Sequence, residues 1–457
     1  MTDFDSLAQP ARIAVIGSGV AGLTAAYALS TRHTVTLLEA DNRLGGHAHT
    51  HHLRAPDGTE VAVDSGFIVH NDRTYPTLLR LFDELGIATQ PTEMSMSVRS
   101  ELSGLEYAGA RGFSGLFPTW RTVLRGRYLV MLGEITRFHR LARRVLDDPS
   151  DDETLDAFID RSGLSQYFRD NFLLPLVAAV WSCDATQAAA YPARYLFTFL
   201  DHHGMLSVFG SPTWRTVTGG SATYVQAVAD AVTARGGVVR CNTPVTSIVE
   251  NGDGAVVESA GFQEQFDGVV IATHPHQALQ MLGEGTALQR EVLGAIGYAS
   301  KPAVLHTDQQ LLPTAPRARA AWNYQISADN SDIAVTYDLT RLMRLPRAAG
   351  QPRYLVTMGR TDLVEPSSIL ATMTYEHPIY HTASVAAQQR LPELNSRAIA
   401  FAGAYHGWGF HEDGAASGAR AAAHFGSTWP EAVVVDDDDV VPFTSGLPVG
   451  SDRRVRK

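Results

Sequence analysis

Cysteine is almost absent from this chain: Cys183 and Cys241 are the two it contains. A disulfide framework is therefore excluded, and the expected state is two reduced thiols in a cytoplasmic protein. Charge is also sparse, at 19% of residues, and acidic on balance, with a formal net charge of −11. With no basic excess to neutralise phosphates, nucleic acid is excluded as a general partner, and broad attraction to anionic membranes is disfavoured. A local apolar membrane contact stays open. The apolar run 13–29 is broken by three glycines, so it is not a transmembrane segment. The N-terminus lacks a basic segment followed by an apolar run and a cleavage site, so secretion is not expected. No repeat period is visible, and no metal-ligand spacing includes the cysteines.

What is present is a soluble-enzyme composition, 45% hydrophobic over 457 residues, long enough for two or more lobes. The informative stretch is Ile13-Ala14-Val15-Ile16-Gly17-Ser18-Gly19-Val20-Ala21-Gly22 and the Ala-rich run after it. It reads as a buried strand, a glycine turn and the start of a helix. Gly17 permits the tight turn, Gly19 leaves room for a pyrophosphate, and Gly22 lets helix and strand pack closely. The free amides at Val20 and Ala21 face the anion. A second strand ends at Glu39-Ala40, where the carboxylate, 17 residues after Gly22, is placed to accept from ribose hydroxyls. A dinucleotide site follows from this combination.

Residues 1–10 are expected to form a disordered leader and 427–457 a tail. The dinucleotide-binding part is expected to be discontinuous, built from 11–80, 212–275 and 395–426. A substrate domain of mixed β-sheet, with a helical insertion over about 111–205, takes 81–211 and 276–394. The class is thus α/β. A hairpin is expected between 51–53 and 61–63 with Asp57-Gly58 as its turn, and a helix over 75–85. Val217-Thr218-Gly219-Gly220-Ser221 reads as a further nucleotide-binding turn before a helix over 224–234. Phe266 to Thr273 reads as a buried strand that completes the nucleotide-binding sheet. Near the end, 398–403 is expected to be a strand, 407–414 a loop and 415–425 a helix.

Four separated signals line up: the opening glycine turn with Glu39, Gly45-Gly46, Gly219-Gly220-Ser221, and Phe401-Ala402-Gly403 leading to Gly414-Ala415-Ala416-Ser417-Gly418. Together they resemble the FAD-binding amine oxidase and phytoene desaturase superfamily. Within it, Val63 to Asn71, Leu305 to Asp308, Ala321 to Tyr324 and Trp408 to Gly414 are similar to a bacterial group of NAD/FAD-binding oxidoreductases. That group is related to the domain preceding the methyltransferase domain of plant cyclopropane fatty acid synthases. The resemblance implies FAD as cofactor, a fatty-acyl lipid as substrate and a lipid methyltransferase as partner. It places Gly45, Gly46 and His47 beside the phosphates and ribityl chain, and Val245 at the adenine. Thr273, Gly403, Phe410, Glu412, Asp413, Gly414 and Ser417 join the cofactor site. Ala404 stands where amine oxidases usually carry an acid, so Glu412 or Asp413 is expected to replace it.

A flavin accepts hydride at N5, and the protein orients the substrate and shapes the field. Tyr405, His406, Trp408 and His411 are the candidates to flank the ring; the alternative is that they only pack. Lys301 either holds a water near N5, as the resemblance implies, or is a surface lysine at a strand start. His47, His49, His51 and His52 lack a supporting carboxylate cluster, so no metal is expected. Trp181, Trp214, Trp322 and Tyr324 line an apolar tunnel or belong to the core. Three activities remain open: desaturation, reduction or double-bond isomerisation of an acyl lipid; amine oxidation with release of peroxide; and a non-enzymatic scaffold presenting lipid.

Overall fold

The computed structural model describes residues 10–148, 153–181, 185–207, 210–283, 285–327, 333–346, 351–427 and 429. The expected leader (except Pro10), nearly all of the expected tail, and Cys183 lie outside the described residues.

Strand Arg12–Ile16 is buried along all but its first residue, as a Val/Ile-rich strand covered on both faces must be. It is the centre of a five-stranded parallel sheet, flanked by Thr34–Leu38 and then Val238–Arg240 on one side, and by Gly268–Ile271 and then Ile399–Phe401 on the other. Five strands from segments spread over the whole chain thus make one sheet. Helix Val20–Leu29 is buried at every residue. It is enclosed by helices Ala222–Ala234 and His411–His424, and its small residues permit the close approach. A Cβ on Gly22 would stand 1.9 Å from the Gly17 carbonyl oxygen, and one on Gly418 would stand 2.2 Å from that of Ala21.

The hairpin forms as expected, Thr50–Arg54 against Glu60–Asp64. Helix Pro76–Glu84 buries Leu78, Leu81 and Phe82. A seven-stranded mixed sheet runs from Ile369–Pro378 through Tyr298–His306, Leu355–Met358, Ile333–Asp338, Trp322–Ile326 and Met96–Ser100 to Leu105–Gly109. Helices from Gly112–Leu116 to Ala193–His202 pack on it.

Two expectations change. Helix His411–His424 begins four residues earlier than the sequence suggests, because the Asp413 carboxylate accepts from the Phe410 N–H at 2.8 Å and caps it. The Gly219-Gly220-Ser221 turn does not face a nucleotide. Its anion is internal: Asp64 accepts from the Ser221 N–H at 2.9 Å and the Ser221 hydroxyl at 2.8 Å, and from the Thr50 hydroxyl at 2.5 Å. A carboxylate of the chain thus takes the place at the helix N-terminus that a phosphate was expected to take.

Candidate active site

A cavity of about 920 Å³ opens at the C-terminal ends of the parallel strands, as switch-point crevices do. Its first end is built from the glycine turn. Gly17 adopts a φ of +94°, and its N–H donates to the Leu38 carbonyl at 2.8 Å. A Cβ on Gly19 would meet no atom within 4 Å, so this turn leaves open space rather than a packed contact. The Glu39 carboxylate accepts from the Ser18 N–H at 2.8 Å, the Ser18 hydroxyl at 2.5 Å and the Asp41 N–H at 2.9 Å. Arg43 holds the neighbouring loop by donating to the Gly46 carbonyl at 2.8 Å.

The other end is aromatic. Trp181 lies 4.7 Å from Phe199, and Phe199 stacks on Phe410 at 4.9 Å and on His203 at 4.0 Å. Phe67 stacks on His411 at 3.7 Å and 11°. Val180, Met205, Trp214, Trp322, Tyr337 and Met358 complete this apolar part of the lining.

Of the residues singled out from sequence, Gly17, Gly19, Val20, Ala21, Glu39, Ala40, Gly46, His47, Val245, Thr273, Gly403, Tyr405, Phe410 and His411 line this one cavity. Trp408 lines it too; the other cofactor and catalytic candidates lie elsewhere. Gly22 serves helix packing. Gly45 donates to the Ser18 carbonyl at 3.0 Å. A Cβ on Gly414 would meet Val20 Cγ1 at 2.6 Å. Ser417 accepts from the Gly403 N–H at 2.9 Å, supporting a lining residue from behind. Glu412 accepts from the N–H groups of Thr77 and Leu78 at 2.9 and 3.0 Å and so caps helix Pro76–Glu84. Glu412, Asp413 and His406 line a second hollow of about 360 Å³ with Tyr195, Gln388 and Arg420. Lys301 lies on strand Tyr298–His306 opposite Tyr375 and does not line the cavity. Trp181, Trp214 and Trp322 face the cavity, whereas Tyr324 is buried in the sheet.

Sequence reasoning missed a group of titratable residues on this lining: His274, Tyr375, Glu376 and His377. His274 Nδ1 lies 2.7 Å from Glu376 Oε2, and the His47 ring is 5.0 Å from Tyr375 and 5.4 Å from His377. The only cue was a pair of His-Pro dipeptides far apart in the chain, one at the start of helix Pro275–Met281 and one at the end of strand Ile369–Pro378. His274, His276 and Glu376 bring ligand atoms within 4.8 Å of one another, and the direct His274–Glu376 hydrogen bond joins two of them.

Five buried polar atoms on the lining, His47 Nε2, Trp322 Nε1, His377 Nδ1, His411 Nε2 and the Tyr405 hydroxyl, have no hydrogen-bond partner among the described residues. Orphaned buried polar atoms are costly unless a ligand or water meets them. An open glycine cradle, a carboxylate at ribose distance along the motif and these orphans fit a dinucleotide with a polar ring system.

Burial holds the imidazoles of His70, His203 and His377 down near 4, and those of His406 and His411 near 3. A base lowered in the folded state contributes stability that is present above its unfolded value of 6.5 and lost as pH falls toward the folded one. Asp64, raised by burial to about 6, and Asp413, raised to about 7, act in reverse: their contribution is present below 3.8 and lost as pH rises through the folded value. The histidines outnumber the carboxyls, and each is worth up to about 3 kcal/mol. The thermal midpoint is therefore expected to fall steeply between pH 6.5 and 4. A level midpoint across that window would contradict their burial.

A family model described as flavin containing amine oxidoreductase matches residues 20–300. The (S)-6-hydroxynicotine oxidase of Paenarthrobacter nicotinovorans is 27% identical over 267 residues, covering 57% of this chain and 59% of that oxidase, less than two thirds of its length. The structure of cyclohexylamine oxidase from Brevibacterium oxydans IH-35A is similar with a TM-score of 0.65 at 18% identity, covering 91% of this chain and 98% of that one. A fatty acid isomerase from P. acnes, described as CLA-producing, is similar with a TM-score of 0.63 at 15% identity, covering 90% and 98%. At these identities the structural likeness concerns the fold.

Proposed function

This chain belongs to the flavin-containing amine oxidoreductases, and we propose that it is an FAD-dependent oxidoreductase whose substrate is an apolar, unsaturated fatty-acyl lipid. The observation that carries the substrate class is the aromatic end of the cavity. Its wall is Val180, Trp181, Phe199, Met205, Trp214, Trp322, Tyr337, Met358 and Phe410. Among the described lining residues the carboxylates are Glu39, Asp41 and Glu376. Glu39 belongs to the nucleotide turn, Asp41 follows it, and Glu376 is bonded to His274. The aromatic wall thus offers an acyl chain dispersion contacts and dryness, and offers an ammonium group no counter-charge.

The glycine turn, Glu39, Gly46, Val245 and Thr273 would hold FAD, which supplies a hydride acceptor at its N5. The chain's own groups bind and orient the lipid and exclude water. His411, neutral through burial, offers Nε2 as a single hydrogen-bond donor or acceptor rather than as a charge. Desaturation, reduction and movement of a double bond are all compatible with this wall. The resemblance to domains that precede a lipid methyltransferase supports such an enzyme as partner.

A second reading is amine oxidation, favoured by the likeness to the (S)-6-hydroxynicotine oxidase and the cyclohexylamine oxidase and by the aromatic lining. Anaerobic incubation of the purified yellow protein separates the two. Unsaturated acyl lipids are expected to bleach the flavin band with loss of two hydrogens from the lipid, or to shift their double bond at constant mass with no net bleaching. Bleaching by amines alone, with peroxide on reoxidation, would overturn the lipid reading.

A further inference from the structure

We propose that the surface built by residues 112–130 docks this protein on an anionic lipid bilayer, lying in the interface without crossing it. Large apolar side chains there face solvent: Phe113 is 75% exposed, Leu124 73% and Trp120 71%, with Val123 and Val130 beside them. They sit on three successive helices, Gly112–Leu116, Trp120–Val123 and the start of Gly126–Asp147. The helices form one surface. Phe113 packs on Phe117 at 4.7 Å, and the Tyr128 hydroxyl donates to the Leu116 carbonyl at 2.8 Å. Arg125 donates to the carbonyls of Ser103 and Gly104 at 2.7 and 3.0 Å, tying the turn that carries exposed Leu102 to the same place. Scattered exposed apolar residues need no explanation; a run of this size does.

Charge identifies the occupant. The protein as a whole carries −11, yet residues 107–133 contain no aspartate or glutamate and include Arg111, Arg121, Arg125 and Arg127. Arg121 lies over the Trp120 ring at 5.6 Å. Arg121 and Arg127 are exposed and form no salt bridge among the described residues. Tryptophan and leucine beside unpaired arginines is the composition of interfacial helices, whose apolar groups enter the acyl boundary while guanidinium groups meet anionic headgroups. No described helix is long and apolar enough to cross a membrane. The proposal does not depend on the substrate reading, since its readout is lipid binding and not turnover.

The test uses the full-length holoprotein and co-sedimentation with vesicles of phosphatidylcholine alone or mixed equally with phosphatidylglycerol. Binding to the mixed vesicles is expected, weakening with added salt. The triple variant Phe113→Ser, Trp120→Ser, Leu124→Ser is expected to bind on the order of a hundredfold less. Arg121→Glu and Arg127→Glu are each expected to weaken binding about fivefold on the mixed vesicles alone. Flavin content and circular dichroism should stay unchanged, because the substituted side chains are exposed. Absence of binding to either vesicle, or equal binding by the triple variant, would overturn the proposal. So would a lipid-free dimer that the triple variant abolishes, which would make a second copy of the chain the occupant.

Discussion

Replacing Gly19 with tryptophan is expected to yield a folded protein that purifies without colour. Gly19 has a φ of −62° and a ψ of 173°, which any residue adopts, and a Cβ there meets no protein atom within 4 Å. The indole would fill only the space beside the glycine turn where the pyrophosphate belongs. FAD affinity should fall by about a thousandfold or more, some 4 kcal/mol, while circular dichroism remains that of the native chain. Gly22→Val makes the contrasting control. Its Cβ would lie 1.9 Å from the Gly17 carbonyl oxygen, so the strand and helix separate and folded protein is lost. A flavin-loaded Gly19→Trp protein would refute the placement of the cofactor; a stable Gly22→Val protein would refute the packing.

The difference between those two glycines marks what the sequence discloses. The strand, turn and helix over residues 12–29 are local, and their spacing with Glu39 carries the chemistry, so the nucleotide end of the cavity was legible. The helix beginning at His411 was not. Its first turn, His411-Glu412-Asp413-Gly414, reads as loop because it is polar and contains glycine. Asp413 caps that turn locally, but Glu412 caps a helix 335 residues away and Gly414 exists to admit Val20. Neither function has a local signature. Gly219-Gly220-Ser221 failed for a related reason: a phosphate loop and a turn that binds an internal carboxylate have the same sequence, and only the fold brings Asp64 to it. Strand alternation likewise could not tell which face Lys301 takes. His274 immediately precedes helix Pro275–Met281 and His377 lies at the end of strand Ile369–Pro378, so their meeting on one lining is a product of the assembled fold.

Asp64 supports the second large effect. Its side chain is nearly inaccessible, and it joins hairpin Thr50–Arg54 with Glu60–Asp64 to the N-terminus of helix Ala222–Ala234. Asp64→Ala would leave the Ser221 N–H buried without its acceptor, and would leave the Thr50 hydroxyl with Ser221, at 3.3 Å, and with the Ala222 N–H, at 2.9 Å. A buried donor left unsatisfied costs about 1–3 kcal/mol and each further hydrogen bond lost about 1 kcal/mol, so a loss of about 3 kcal/mol is expected at pH 4, read as a lowered denaturant midpoint. Asp64→Asn should cost much less, because the amide oxygen still accepts from Ser221 while the buried charge is removed. Burial raises the Asp64 carboxyl to about 6, so in the native protein its contribution to stability is present below 3.8 and is lost as pH rises through 6. The native protein should therefore lose stability relative to both variants as pH rises from 4 to 8, with the alanine variant below Asp64→Asn throughout. Equal loss in the two variants at every pH would mean that the carboxylate serves shape alone and that the helix N-terminus does not need its acceptor.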